Sequence, residues 1–219
     1  REVVGCLMYL MVATRPDIAY AVGVLSRQVS NPTQRSWTQA KRVLKYLLYT
    51  KHLGLRITRC RTPDFTPSAY VDADWGRDSD TARSTTGCVL FLGNAPIIWA
   101  SRMQKCVALS STESEYIALS ECVKEVLWVT RLLADLGLNC PKISIFEDNA
   151  GCIKLAKNPV FHKRTKHINI RYHFVREHVS DGSIELTWVP TSEMIADALT
   201  KPLAQPAFEG KRRRLLNMM

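Results

Sequence analysis

The stretch Ala69-Tyr70-Val71-Asp72-Ala73-Asp74-Trp75 decides how this chain is read. Aromatic and β-branched residues lead straight into two aspartates at i and i+2. A strand projects i and i+2 from one face, so Asp72 and Asp74 stand side by side. Two like charges that close are costly unless a cation or a shared proton relieves them. The plainer reading is a strand running out into an acidic turn, because Asp78 and Asp80 follow. The rest of the chain separates the two.

Hydrophobic residues make up 46% of the 219, enough for one large domain or a small domain with an extension. No apolar run approaches the ~18 residues of a spanning helix, so no membrane partner is expected. No signal peptide is visible and the chain opens on Arg1, so it reads as a fragment or processed product of something longer. The seven cysteines (6, 60, 88, 106, 122, 140 and 152) are scattered and form no Cys-x-x-Cys. That pattern suggests neither a disulfide framework nor a zinc ribbon and fits a reducing compartment. The net charge of +10 is unevenly placed: residues 1–61 hold 11 Lys and Arg against Glu2 and Asp17, while the remaining 158 are nearly balanced. A basic surplus of nine at one end suggests a surface for a polyanion, most simply nucleic acid.

Residues 1–52 read as three helices. An apolar run over residues 5–13 is broken by Arg15-Pro16-Asp17, with Pro16 placed to open the next helix. Ile18, Val22 and Leu25 follow at helical spacing, and Trp37, Ala40, Val43, Leu44 and Leu47 form a third stripe. Residues 53–58 suit a short strand. Arg59-Cys60-Arg61-Thr62-Pro63-Asp64-Phe65-Thr66-Pro67 is a linker, dividing a helical unit, 1–61, from a second domain, 62–219. That domain begins with strands ending at Asp72, over 84–92 and over 95–100, an antiparallel meander, with 106–109 extended too. A helix over 111–136, a strand over 143–146, helices over 150–156 and 167–179, a strand over 184–189 and a helix over 193–200 complete a mixed α/β sheet.

On the long helix, at about 100° per residue, Leu119, Val123, Val126, Leu127 and Leu133 share a face with Glu115, while Glu113, Glu121 and Glu125 point away. A carboxylate on a core-facing stripe is expensive unless paired, hydrogen-bonded or metal-bound. The competing role for Glu115 is a capping box through Thr112-Glu113-Ser114-Glu115. Asp148 ends a strand before a helix, which suits metal or phosphate chemistry and equally suits an N-cap, a duty Asn149 can share. Asp197, beside Ile195 and Leu199, is not distinguished by pattern alone.

Long motifs carry a resemblance. Tyr70-Val71-Asp72-Ala73-Asp74-Trp75, Ala108-Leu109-Ser110-Ser111-Thr112-Glu113-Ser114-Glu115-Tyr116, Asn158-Pro159-Val160-Phe161-His162-Lys163, Arg171-Tyr172-His173-Phe174 and Ala196-Asp197-Ala198-Leu199-Thr200-Lys201-Pro202-Leu203 resemble the ribonuclease H region of copia-type LTR-retrotransposon Pol polyproteins. Thr14-Arg15-Pro16-Asp17-Ile18-Ala19-Tyr20 and Ala40-Lys41-Arg42-Val43-Leu44-Lys45-Tyr46-Leu47 resemble the end of the reverse transcriptase of the same polyproteins. The resemblance implies a ribonuclease H-like mixed five-stranded sheet with flanking helices, preceded by a small reverse-transcriptase-derived helical segment. It also implies four catalytic, metal-holding acids, Asp72, Glu115, Asp148 and Asp197, with Asp74 a neighbour. Two magnesium or manganese ions would serve cleavage of the RNA strand of an RNA–DNA hybrid. The partners would be the hybrid and the remaining Pol polyprotein with its polymerase palm; the location, the cytoplasmic virus-like particle or the nucleus. Many cellular ribonucleases H carry a histidine shortly before the last acid; Trp188-Val189-Pro190-Thr191-Ser192-Glu193 has none.

Other readings compete. His162, His167, His173 and His178 raise zinc, without the clustered Cys or His-x-x-x-His that zinc favours; with Lys154, Lys157, Lys163, Arg164, Lys166, Arg171 and Arg176 they read better as a basic face. Asp72, Asp148 and Glu185 approach an integrase triad, but Glu185 falls in a strand. A catalytically silent nucleic-acid-binding remnant of a decayed element is the alternative from another class. No Asp-Asp pair occurs, so polymerisation is not expected.

Overall fold

The computed structural model describes residues 1–58, 66–138, 142–158 and 166–218. Its sheet grows from β1 (Pro67–Asp74), which hydrogen-bonds on both sides. β2 (Thr85–Leu92) runs antiparallel to β1, and β3 (Ala95–Met103) antiparallel to β2. On the other side β4 (Ile143–Glu147) runs parallel to β1, and β5 (Ile184–Trp188) parallel to β4. The order is β3-β2-β1-β4-β5, the expected mixed five-stranded sheet.

Alternation along β1 divides the core. Ala69, Val71 and Ala73 face the long helix α4 (Ser111–Asp135), α5 (Ala150–Lys157) and α6 (Lys166–Ser180), where Leu119, Val123 and Val126 are fully buried. Tyr70 faces the other side, with Val89 and Phe91, against α7 (Asp197–Thr200) and α8 (Gln205–Leu215). Helix α4 starts where Ser110 Oγ accepts from Glu113 N–H and Glu113 reaches back to Leu109 N–H at 2.8 Å. It ends at Gly137, whose φ of +74° suits a residue without Cβ.

The N-terminal helices are α1 (Glu2–Ala13), α2 (Ala19–Arg27) and α3 (Gln34–Tyr49). They share a core of Leu7, Ile18, Val22, Leu25, Ala40 and Val43. The Arg15-Pro16-Asp17 break is a buried ion pair: Arg15 donates to both Asp17 oxygens, at 2.9 and 2.8 Å, and Tyr46 Oη donates to Asp17 Oδ2 at 2.6 Å. These helices lie against the sheet. Ala19 and Met11 join the core above Val89 and Phe91, and Trp99 Nε1 donates to Met11 O at 2.8 Å.

Several local expectations change. Residues 53–58 form no strand; Arg56 instead hydrogen-bonds the far end of the chain, through Leu216 O and Asn217 Nδ2. Residues 106–109 are not a strand either. The helix expected over 193–200 is a 3-10 turn, Thr191–Glu193, followed by the short α7. Helix α8 is not legible in the sequence; its polar, arginine-rich composition hides it. Of the linker, residues 59–65 lie outside the described residues, as do Cys60, Cys140, His162, Lys163 and Arg164. No helix among the described residues is long and apolar enough to cross a membrane.

Candidate active site

The site lies at the carboxyl ends of the two central parallel strands. Their register pairs Tyr70 with Phe146. Two residues further along, the same alternation sets Asp72 beside Asp148. Crevices outside the carboxyl ends of parallel strands are where α/β sheets place polar chemistry. Glu115 enters from the second turn of α4, which packs over β1. One carboxylate oxygen from each of Asp72, Glu115 and Asp148 lies within 4.8 Å of the other two.

These acids are held at a cost. Burial pushes the Asp72 carboxyl up to about 6, against the pull of the Lys201 ammonium and the Thr200 hydroxyl. Burial also pushes Glu115 well above the usual carboxylate range, and neighbouring Glu147 and Asp72 push it further. Glu115 Oε2 is buried with no hydrogen-bond partner among the described residues. An orphaned carboxylate oxygen beside two further carboxylates fits a hard divalent cation, which takes oxygen ligands.

Asp148 is free for this role because Asn149 does the capping, its Oδ1 accepting from Cys152 N–H at 2.9 Å. Asp148 Oδ2 accepts from Thr191 Oγ1 at 2.7 Å, and its carbonyl from Trp188 Nε1 at 2.9 Å. The capping question on α4 also resolves: Glu113 caps and Glu115 does not. Glu113 is nevertheless buried rather than pointing away, because its carboxylate folds back along the chain.

Asp197 stands apart from the other three. It is buried at the start of α7, one oxygen 2.5 Å from Lys201 Nζ and the other 3.1 Å from Lys211 Nζ. Asp74 is turned to a different task, its Oδ1 accepting from Thr85 N–H.

Glu147 does not stand out in the sequence. It is wholly buried beside the cluster, burial raises its carboxyl well above the usual range, and its Oε1 accepts from Asn149 N–H at 3.0 Å. A signal for it exists in the alternation: Ile143, Ile145 and Glu147 occupy the inward positions of β4.

Among the described residues the competing constellations do not assemble. Glu185 pairs with Lys142 at 3.4 Å, both about half exposed. Among the described residues no histidine joins a metal-capable group. On the expected basic face Arg171 is drawn to Glu121, at 2.8 Å, and Lys157 to Leu186 O.

A five-stranded sheet in the order β3-β2-β1-β4-β5, with carboxylates at the ends of its central strands and helices on both faces, defines a mixed α/β protein of the kind the sequence resemblance implies. No family model matches the chain. It is 43% identical over 217 residues, 98% of its length, to the retrovirus-related Pol polyprotein from transposon RE2 of Arabidopsis thaliana. It is 44% identical over 206 residues, 94% of its length, to that from transposon TNT 1-94 of Nicotiana tabacum. The chain belongs to the retrovirus-related Pol polyproteins of transposons, and spans about 15% of the length of these two relatives. Among solved structures it is similar to the N-terminal RNase H domain of rv2228c from Mycobacterium tuberculosis, at 13% identity and a TM-score of 0.45, covering 68% of this chain and 97% of that one.

Proposed function

We propose that this chain is the ribonuclease H part of a transposon Pol polyprotein, cutting the RNA strand of RNA–DNA hybrids during reverse transcription. The observation that carries the reading is the convergence of Asp72, Glu115 and Asp148 within 4.8 Å, with a buried Glu115 oxygen left unpartnered. Three converging carboxylates are destabilising alone and become useful around a cation.

Asp72, Glu115 and Asp148 would hold magnesium or manganese, with Asp197 the fourth acid at the margin. Two such ions supply activation of a water and stabilisation of the leaving oxygen of a phosphodiester. The chain's own part is positioning. Thr200 holds Asp72 from one side and Thr191 holds Asp148, while Lys201 lies 3.7 Å from Asp72 Oδ2 and Glu147 is wholly buried beside the cluster. The basic helices supply phosphate contacts for the hybrid, and the remaining Pol polyprotein supplies the polymerase.

One observation favours a second reading, a silent nucleic-acid-binding module: Asp197 is already neutralised by two lysines. A hybrid labelled on its RNA strand separates the two. Magnesium- or manganese-dependent cutting that Asp148→Asn abolishes supports the nuclease. Hybrid binding without cutting by folded protein, under either metal, supports the silent module.

A further inference from the structure

We infer that Lys201 is a displaceable counter-cation built into the acidic site, occupying the space between Asp72 and Asp197 that a second divalent ion would need. The inference rests on the reading that Asp72, Glu115 and Asp148 hold a cation.

The two lysines that meet Asp197 differ in kind. Lys211, on α8, is almost wholly buried. Besides Asp197 it donates to the carbonyls of Met194 at 2.6 Å, Thr191 at 3.2 Å and Ser192 at 3.3 Å. Four oxygens around one ammonium make it a fixed clamp, and it anchors Asp197 Oδ2 outside the Asp72–Glu115–Asp148 group. Lys201 is different. Its side chain keeps about a quarter of its surface in solvent, 27%. Among the described residues its ion-pair partners are two carboxylates, Asp197 Oδ1 at 2.5 Å and Asp72 Oδ2 at 3.7 Å. A lysine stem with an open side lets its ammonium swing to water or to a phosphate without leaving a carbonyl unpaired.

This arrangement orders the binding events. A first cation at Asp72, Glu115 and Asp148 is compatible with Lys201 in place. A second, if Asp72 and Asp197 were to hold it, would meet the Lys201 ammonium already between them, and like charges at such distances repel strongly. An incoming phosphodiester offers Lys201 another anion. Substrate and second cation therefore bind with mutual assistance, as any two ligands that both displace one group must.

The test is a manganese titration by calorimetry without nucleic acid, on the whole chain as wild type, Lys201→Met and Lys201→Arg. Wild type and Lys201→Arg are expected to take one ion well and a second at least about tenfold more weakly, and Lys201→Met to bind the second about tenfold more tightly than wild type does. A second affinity in Lys201→Met within about twofold of wild type overturns the inference while leaving the nuclease reading intact. No manganese binding by folded wild type overturns both. Should Lys201→Met not fold, the lysine Cε resonances of wild type decide it during a parallel titration with magnesium, which is diamagnetic and leaves them visible. A Lys201 signal that moves with the second ion, and not the first, supports displacement; one that stays fixed while the second ion binds refutes it.

Discussion

Thr200 donates its hydroxyl hydrogen to Asp72 Oδ2, tying helix α7 to strand β1 across 128 residues of chain. The approach is possible because Gly87, opposite Asp72 in the β1–β2 register, carries no side chain. A Cβ there would lie 2.6 Å from Thr200 Cγ2 and 2.9 Å from Ala196 O. Gly87→Ala therefore has to push α7 away, which costs on the order of 1–3 kcal/mol. Thr200→Val keeps the shape and removes the donor, leaving a buried carboxylate short of a partner, also about 1–3 kcal/mol. Chemical denaturation of both variants checks this. Unchanged midpoints would mean that α7 is not held by this hydrogen bond.

Glu113 and Glu115 stand two apart on α4 and are both buried, yet they do different things. Glu113→Gln keeps an acceptor for Leu109 N–H, so it costs at most roughly 1 kcal/mol and leaves metal affinity and cleavage near wild type. Glu115→Gln removes one of the three converging carboxylates, so metal affinity and cleavage fall by orders of magnitude. It also stabilises the metal-free protein, since a crowded charge is gone. Calorimetry with manganese and a hybrid-cleavage assay distinguish the pair. An inactive Glu113→Gln beside an active Glu115→Gln would reverse the assignment.

The acidic cluster sets a pH dependence whose sign is opposite to that of a salt-bridged carboxylate. Asp72 titrates at about 6 in the fold against an ordinary 3.8, chiefly through burial; Glu115 and Glu147 are raised for the same first reason. The folded state then binds more protons than the unfolded one. The cluster's favourable contribution is complete below the ordinary value and is lost as pH rises through about 6. Without metal, wild type should lose stability relative to Asp72→Asn over that range, on the order of 2–3 kcal/mol for this one group. Saturating magnesium should remove the difference. Parallel stability curves for the two proteins at all pH values would show that Asp72 is not protonated as described.

The basic character of the N-terminal quarter predicts a salt-dependent affinity for nucleic acid. Deleting residues 1–61 would expose the sheet, because Met11 and Ala19 pack on it, so point changes are the cleaner probe. Arg35, Arg42 and Lys45 on α3 are exposed and can be changed to Gln together. Measured in an Asp148→Asn background on a duplex, the slope of log affinity against log salt should flatten by about 0.9 for each phosphate no longer neutralised. An unchanged slope would place the polyanion surface elsewhere.

Much of this protein is determined locally. Apolar residues at i and i+2 in 69–73 and at i, i+3 and i+4 in 119–133 select strand and helix without reference to the rest of the chain, and the meander, the long helix and the alternating β4 follow. The motifs around Asp72, Glu115 and Asp197 are long enough to be matched as sequence. Tertiary structure decided what each of these acids faces. Only the parallel pairing of β1 with β4 brings Asp72 beside Asp148, and only α8, a helix with little apolar pattern, delivers Lys211 to Asp197. Glu147 reads as one more charged residue until packing takes its water away. The same holds for the helical unit. Its own stripes predict three packed helices, whereas its seat on the sheet depends on Ala19 reaching the sheet core and on Met11 and Trp99 meeting across 88 residues of chain. Periodicity is a property of neighbours in sequence. Charge crowding, desolvation and counter-ion choice belong to groups that become neighbours only in the fold.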